Sequence, residues 1–158
     1  MSYFAQFSSD CNRLKGYDYS QVGRYFITIN HKNNFKIFGK VVDGKMILNN
    51  LGKTIEKTWY ELPKHYDNLV LDEFIVMPNH VHMIMIIKNN ETGKKHGISE
   101  FVRNFKSFSS KGINEINNTP GKSNWQKDFW DVIIKNDIHF LQIKQYIRDN
   151  PKHWDQEK

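Results

Sequence analysis

The chain has 158 residues, 39% of them hydrophobic and 25% charged, which suits a single domain able to bury a core. No apolar run reaches the roughly 18 residues of a membrane span, and a single cysteine, Cys11, excludes an internal disulfide and fits a reducing compartment. Lys and Arg total 23 against 17 Asp and Glu, a formal net charge of +6 with a pI near 9.3, and this balance favours a polyanionic partner, most often nucleic acid.

Residues 1–23 are polar, with Gly16 and Gly23 as expected bends, and are read as an N-terminal extension to one domain over 24–158. Met1 to Asp10 lack the basic start and apolar stretch of a signal peptide, so a cytoplasmic location is expected. Arg24–Asn30 (RYFITIN) is β-branched and aromatic and predicts a strand. Phe38–Leu48 predicts a hairpin turning on Asp43-Gly44, a type I′ signal. Asn49 or Asn50 caps a predicted helix over about Leu51–Leu62, which Pro63 ends. Val70–Met77 and His80–Ile87 predict two more strands, the second apolar enough to be central in a sheet. Ser99 caps a predicted helix to about Lys111, with Ile98, Phe101, Val102, Phe105 and Phe108 inward and Arg103, Lys106 and Lys111 outward. Gly112–Ser123 reads as polar and flexible. A strand is expected near Phe129–Ile134. A last helix begins near Asp137, carries Phe140, Leu141, Ile143, Tyr146 and Ile147 on or near its apolar stripe, and stops at Asn150-Pro151. The order predicts an α+β fold: a ferredoxin-like antiparallel sheet with helices packed on it.

His80 and His82 are two apart in a predicted strand, so their side chains share one face while Val81 points into the core. Two imidazoles side by side can grip one metal ion. They can equally be two half-buried histidines bonded to backbone. With no cysteine near, a structural zinc site fits poorly. Two neutral imidazoles would leave a divalent ion's charge available to a phosphate, and manganese tolerates nitrogen ligands better than magnesium. Tyr146 and Asn150 are four apart on the last helix, hence on one face. A phenol has an ordinary pKa near ~10 and needs a nearby cation to act as a nucleophile. A metal, with Lys144 or Arg148, would supply one. Asn150 offers an oxygen to a metal site. A tyrosine in an amphipathic helix is also ordinary packing.

DEFIVMPNHVHMI, FKSFSSKGIN, WQKDFW and YIRDNPKHW, in this order, resemble the REP-associated branch of single-tyrosine transposases, the HUH group (His, hydrophobic, His). NRLKGYDYSQVGRYFITI and MILNNLGKTIEKTW also match that branch, so the resemblance runs from about Asn12 to the C-terminus. It implies that the two histidines lie on a central strand and hold a divalent ion, Mg2+ or Mn2+. It implies that Tyr146 is the nucleophile, carried by its helix to their side, with Asn150 where the wider superfamily has a third ligand. It further implies cleavage and rejoining of single-stranded DNA, often beside a hairpin, through a 5′-phosphotyrosine, as in DNA transposition and recombination. Arg103, Lys106, Lys111, Lys122 and Lys127 are candidate phosphate contacts, and Trp125 or Trp130 candidate base stackers. The expected partner is single-stranded or hairpin DNA, without a membrane, and a homodimer is left open. Trp125, Gln126 and Phe129 match the family's WQ-x-x-F signature. One position departs: relatives of this branch commonly carry His where this chain has Val132. That departure keeps a rival in view, a non-catalytic DNA-binding module on the same fold. A phosphodiesterase that uses water, with Tyr146 structural, is a second.

Overall fold

A computed structural model describes residues 17–89 and 96–154. Cys11 and Gly16 lie outside those residues. Strand β1 (Gly23–Asn30) is followed by the hairpin β2 (Gly39–Val42) and β3 (Lys45–Leu48), helix α1 (Asn50–Glu61), strands β4 (Leu69–Val76) and β5 (His80–Ile87), helix α2 (Ile98–Asn117), strand β6 (Trp130–Ile134) and helix α3 (Asp137–Trp154). The main sheet has the order β4-β5-β1-β6 with every neighbouring pair antiparallel. That is the strand–helix–strand–strand–helix–strand arrangement of a ferredoxin-like sheet, with a hairpin inserted before α1 and a further helix at the end.

Period-two alternation on β1 and β5 divides the interior in two. Tyr25, Ile27, Ile29, Val81, Met83 and Met85 pack with Ile55 and Trp59 of α1 and Phe101, Val102 and Phe105 of α2. Phe26, Ile84, Val132 and Ile134 pack on the opposite face with Ile143, Tyr146 and Ile147 of α3. Both faces of β1 and β5 are therefore covered, which explains why these strands read as nearly continuous apolar runs.

Local chemistry accounts for the element ends. Asp43 and Gly44 both have positive φ (51° and 72°), the type I′ turn their sequence demands. The Asn49 side chain accepts a hydrogen bond from Gly52 N at 3.0 Å and caps α1. Pro63 lies in a single 3-10 turn, Leu62–His65, that follows directly.

Several expectations are corrected. Helix α2 is capped at Gly97 rather than Ser99 and continues past Lys111 to Asn117. Gly112 does not break it, because a Cβ there would stand 2.4 Å from Thr54 Cγ2; the glycine admits α1 to close packing. The segment after it is pinned: Asn114 Oδ1 accepts from Thr119 Oγ1 (2.9 Å) and Asn124 Nδ2 (3.0 Å). Phe108 is exposed, not inward, and so is Leu141. Gly23 opens β1 rather than forming a bend. Tyr17 and Tyr19, just before it, pack their rings on each other and on Tyr25. Helix α3 does not stop at Asn150-Pro151 but runs on to Trp154. Pro151 sacrifices one backbone hydrogen bond, yet it is buried, and Trp154 beyond it lies against His80 at 6.0 Å between ring centroids.

Candidate active site

The register of β1 against β5 sets the site: Thr28 is opposite His82, and Asn30 is opposite His80. Both histidines lie on one face, as their spacing predicts, and α3 covers that face. Their Nε2 atoms approach to 3.1 Å. Each ring is held from behind. His80 Nδ1 lies 2.6 Å from Asn79 Oδ1, and His82 Nδ1 lies 2.7 Å from Thr28 Oγ1. An amide oxygen only accepts, so His80 Nδ1 carries the proton and its Nε2 presents a lone pair. Burial pushes the His80 imidazole down to about 4, against an opposing hydrogen bond to the Asn150 side chain that favours the protonated ring. Burial, reinforced by His80, holds His82 well below the ordinary histidine value. Both rings are neutral at neutral pH, the form that binds metal.

Helix α3 brings Tyr146 to this pair. Its ring centroid is 5.4 Å from that of His82 and 6.0 Å from that of Phe26, and the residue is 7% exposed. Asn150, one helical turn on, is buried and bonds His80. His80, His82, Tyr146 and Asn150 thus meet in one place. Lys144 and Arg148 serve a different purpose from the one expected. A bulge in β4 between Leu71 and Phe74 presents Asp72 and Glu73 to α3. Lys144 Nζ pairs with Asp72 at 3.4 Å and Arg148 with Glu73 at 2.6 Å, so both cations fasten the helix to the sheet edge.

The residues present fit a divalent ion. Two nitrogens each about 2.1 Å from one ion, at adjacent coordination positions, lie about 3 Å apart, and the two Nε2 atoms match that spacing. No group of three or more His, Cys, Asp or Glu stands together among the described residues. The remaining positions would therefore fall to the Asn150 oxygen, water and a ligand.

Sequence reading missed two residues here. Thr28 becomes visible only through strand register, and nothing in the sequence around Asn79 signals its contact with His80. Val132 pairs with Phe26 across β1–β6 and lies buried in the apolar cluster that also holds Tyr146.

The candidate DNA contacts divide. Arg103, Lys106, Lys122, Trp125 and Lys127 line one groove with Ser99, Ser107, Ser110, Ser123 and Gln126. Lys111 lines the neighbouring depressions, beside Glu115. Trp125 is not available for stacking: it is 4% exposed, packs against Phe38 and Phe105, and donates Nε1–H to Ser109 Oγ at 2.9 Å. Lys106 is turned inward as well, with Nζ donating to the Gln126 and Lys127 carbonyls at 2.8 and 2.9 Å. Both residues build the groove wall from the WQ-x-x-F segment. That segment reaches the site end of the sheet, where Gln126 N donates to Asn30 O at 2.9 Å and Gln126 Nε2 to Asn34 Oδ1 at 3.3 Å.

Comparison with known proteins identifies the family and the fold. The family described as "Transposase IS200 like" matches residues 43–150. An uncharacterized protein of Haemophilus influenzae is 32% identical over 163 aligned residues, which cover 92% of this chain and 89% of that one. The solved structure of a REP-associated tyrosine transposase bound to a REP hairpin superposes with a TM-score of 0.63 at 20% identity, covering 90% of this chain and 74% of that one. A Deinococcus radiodurans R1 protein assigned as a transposase gives 0.55 at 17% identity, over 87% and 96% of the two chains. These two structures share the fold. No described helix is long and apolar enough to cross a membrane. With the family pattern spanning most of the chain from the hairpin turn to Asn150, the protein belongs to the IS200-like transposase family.

Proposed function

We propose that this chain cleaves and rejoins single-stranded DNA through a covalent tyrosyl intermediate, acting beside hairpin-forming sequence. The observation that carries the reading is the convergence of the two Nε2 atoms, 3.1 Å apart, with the Tyr146 ring packed beside His82. Support for the DNA class comes from the basic groove and from the REP hairpin bound by the similar transposase. His80, His82 and Asn150 are the residues that would hold Mg2+ or Mn2+, whose charge would polarise the scissile phosphate. The chain's own part is positional. Thr28 and Asn79 orient the imidazoles. The ion pairs to Asp72 and Glu73 fix α3, so that Tyr146 is held against the pair rather than recruited to it. The Tyr146 oxygen, losing its proton, bonds to phosphorus as the bond to the 3′-oxygen breaks. That oxygen leaves as a 3′-hydroxyl after taking up a proton. Attack by another 3′-hydroxyl reverses the step and joins strands, and the phosphodiester energy is conserved throughout. Arg103, Lys122 and Lys127 contact the phosphates of the incoming strand.

Incubation with single-stranded hairpin DNA and Mn2+ or Mg2+ is expected to give a protein–DNA adduct that survives denaturing electrophoresis. An adduct persisting in Tyr146→Phe would move the nucleophile elsewhere, and cleaved product without adduct would favour attack by water. The buried, apolar Val132 favours a second reading, a DNA-binding module without chemistry. That reading predicts salt-sensitive DNA binding, no metal dependence and no adduct.

A further inference from the structure

The loop after β1 carries an exposed aromatic ring on a rigid mount. We infer that Phe35 is a stacking platform for an unpaired nucleobase in a DNA strand entering the His80–His82 site. The inference rests on the proposed DNA function and assigns this loop to the same substrate.

A lone exposed phenylalanine is ordinary on a protein surface. This one differs in how it is held. Phe35 is 59% exposed, yet its ring stacks on the buried His31 ring at 5.6 Å between centroids and 25° between planes. His31 Nδ1 accepts from both Asn33 N (3.2 Å) and Phe35 N (3.3 Å), and Asn34 N donates to His31 O at 3.0 Å. His31 is itself bridged to Trp125. Burial, with Lys122 near, keeps the His31 ring neutral and able to accept. The ordering of the loop is thus met before any ligand arrives, which is the condition for a small contact to yield affinity.

Placement and charge select the occupant. Asn79 spans from the site to the loop: Oδ1 meets His80 Nδ1 at 2.6 Å and Nδ2 donates to Asn34 O at 3.3 Å. Lys36 Nζ lies 5.5 Å over the ring of Trp154, which lies against His80. From His31 to Val42 the chain has three lysines and no carboxylate. A planar apolar ring among cations, beside a phosphate-directed site, fits a base on its sugar-phosphate strand better than an apolar protein surface.

The test is fluorescence anisotropy with a short labelled single-stranded oligonucleotide and with a blunt duplex. Phe35→Ala and Phe35→Leu should each weaken single-strand binding about tenfold or more, because leucine keeps bulk but not a flat face. Phe35→Trp should bind within about twofold of the parent. Duplex binding should not follow this order. Tyr60→Ala, an exposed aromatic on α1, serves as the control and should match the parent. A 2-aminopurine placed along the strand should be quenched at one position by the parent and not by Phe35→Ala. Parent-like binding by both Phe35→Ala and Phe35→Leu, with the parent binding normally, would overturn the inference alone. Failure of the parent to bind any single strand would remove the DNA reading and this inference with it.

Discussion

The two faces of the sheet use the same strands for different ends. Toward α1 and α2, β1 and β5 send Tyr25, Ile27, Ile29, Val81, Met83 and Met85 into a continuous apolar core. Toward α3, alternate residues of those strands include Thr28, His80 and His82, with Asn150 facing them from the helix. Burying such polar groups costs stability unless each finds a partner. Here the partners are one another, plus Asn79. Folding free energy is thus gathered mainly on one face, and the other bears the expense of a preorganised site.

The sharpest way to break this comparison is to make one large deletion on each face. Tyr146→Phe should abolish the DNA adduct on denaturing gels while leaving the urea midpoint near the parent's, since the ring stays packed against Phe26. Phe101→Ala, on the far face, should cost about 3–5 kcal/mol in urea denaturation. A Phe101→Ala protein of parental stability would show that the apolar face is not where the stability resides. Acid is the next largest lever. His80 and His82 are held neutral in the fold while their unfolded forms protonate near ~6.5. The unfolded state then binds more protons, so the stability these rings contribute is complete above that pH. It is lost as pH falls toward about 4 for His80, with His82 shifted in the same direction, by at most about 1.4 kcal/mol per pH unit for each ring. Thermal melts between pH 7 and 4.5 should show this fall, and His80→Gln/His82→Gln should flatten it. An unchanged acid slope in the double variant would assign the loss to carboxylates. Smaller again is Thr28→Val, which removes the hydroxyl behind His82. It should weaken Mn2+ binding, measured calorimetrically without DNA, about 10- to 100-fold. Thr28→Ser should restore it, and parental affinity in Thr28→Val would detach Thr28 from the site.

The same division explains what was legible in the sequence. Asp43-Gly44, the Asn49 cap and the apolar run HVHMIMII depend on neighbours along the chain, and the structure follows them. Gly112 and Pro151 read as breaks because their local propensities are poor. Each is tolerated for a tertiary reason: close approach to Thr54 for the one, and burial with Trp154 against His80 for the other. The residue types drawn to the site were visible, but their support was not. Thr28 acquires its position from strand register, and Lys144 and Arg148 looked free because Asp72 and Glu73 lie far away in sequence. Trp125 looked like a surface reader because its neighbours are polar, whereas a bridge to His31 and the Ser109 hydroxyl draw it inside.

The least of the expected effects tests whether the apolar face has a functional edge of its own. Lys122 and Lys127 are exposed in the groove, while Lys106 is committed to the Gln126 and Lys127 carbonyls. If the groove follows a single strand, each free lysine that neutralises one phosphate should contribute about 0.7 to the slope of log K against log salt. Lys122→Gln and Lys127→Gln should each reduce the slope by that amount, and together by about twice it. Lys111→Gln, on a depression shared with Glu115, should leave the slope unchanged. Lys106→Met should behave differently from all three. Its loss would release the WQ-x-x-F segment, lowering thermal stability and affinity together without the slope change of a lost phosphate contact. A slope that responds to Lys111 and ignores Lys127 would place the strand across the outer surface of α2, and the two faces would then no longer meet at Gln126 in binding DNA.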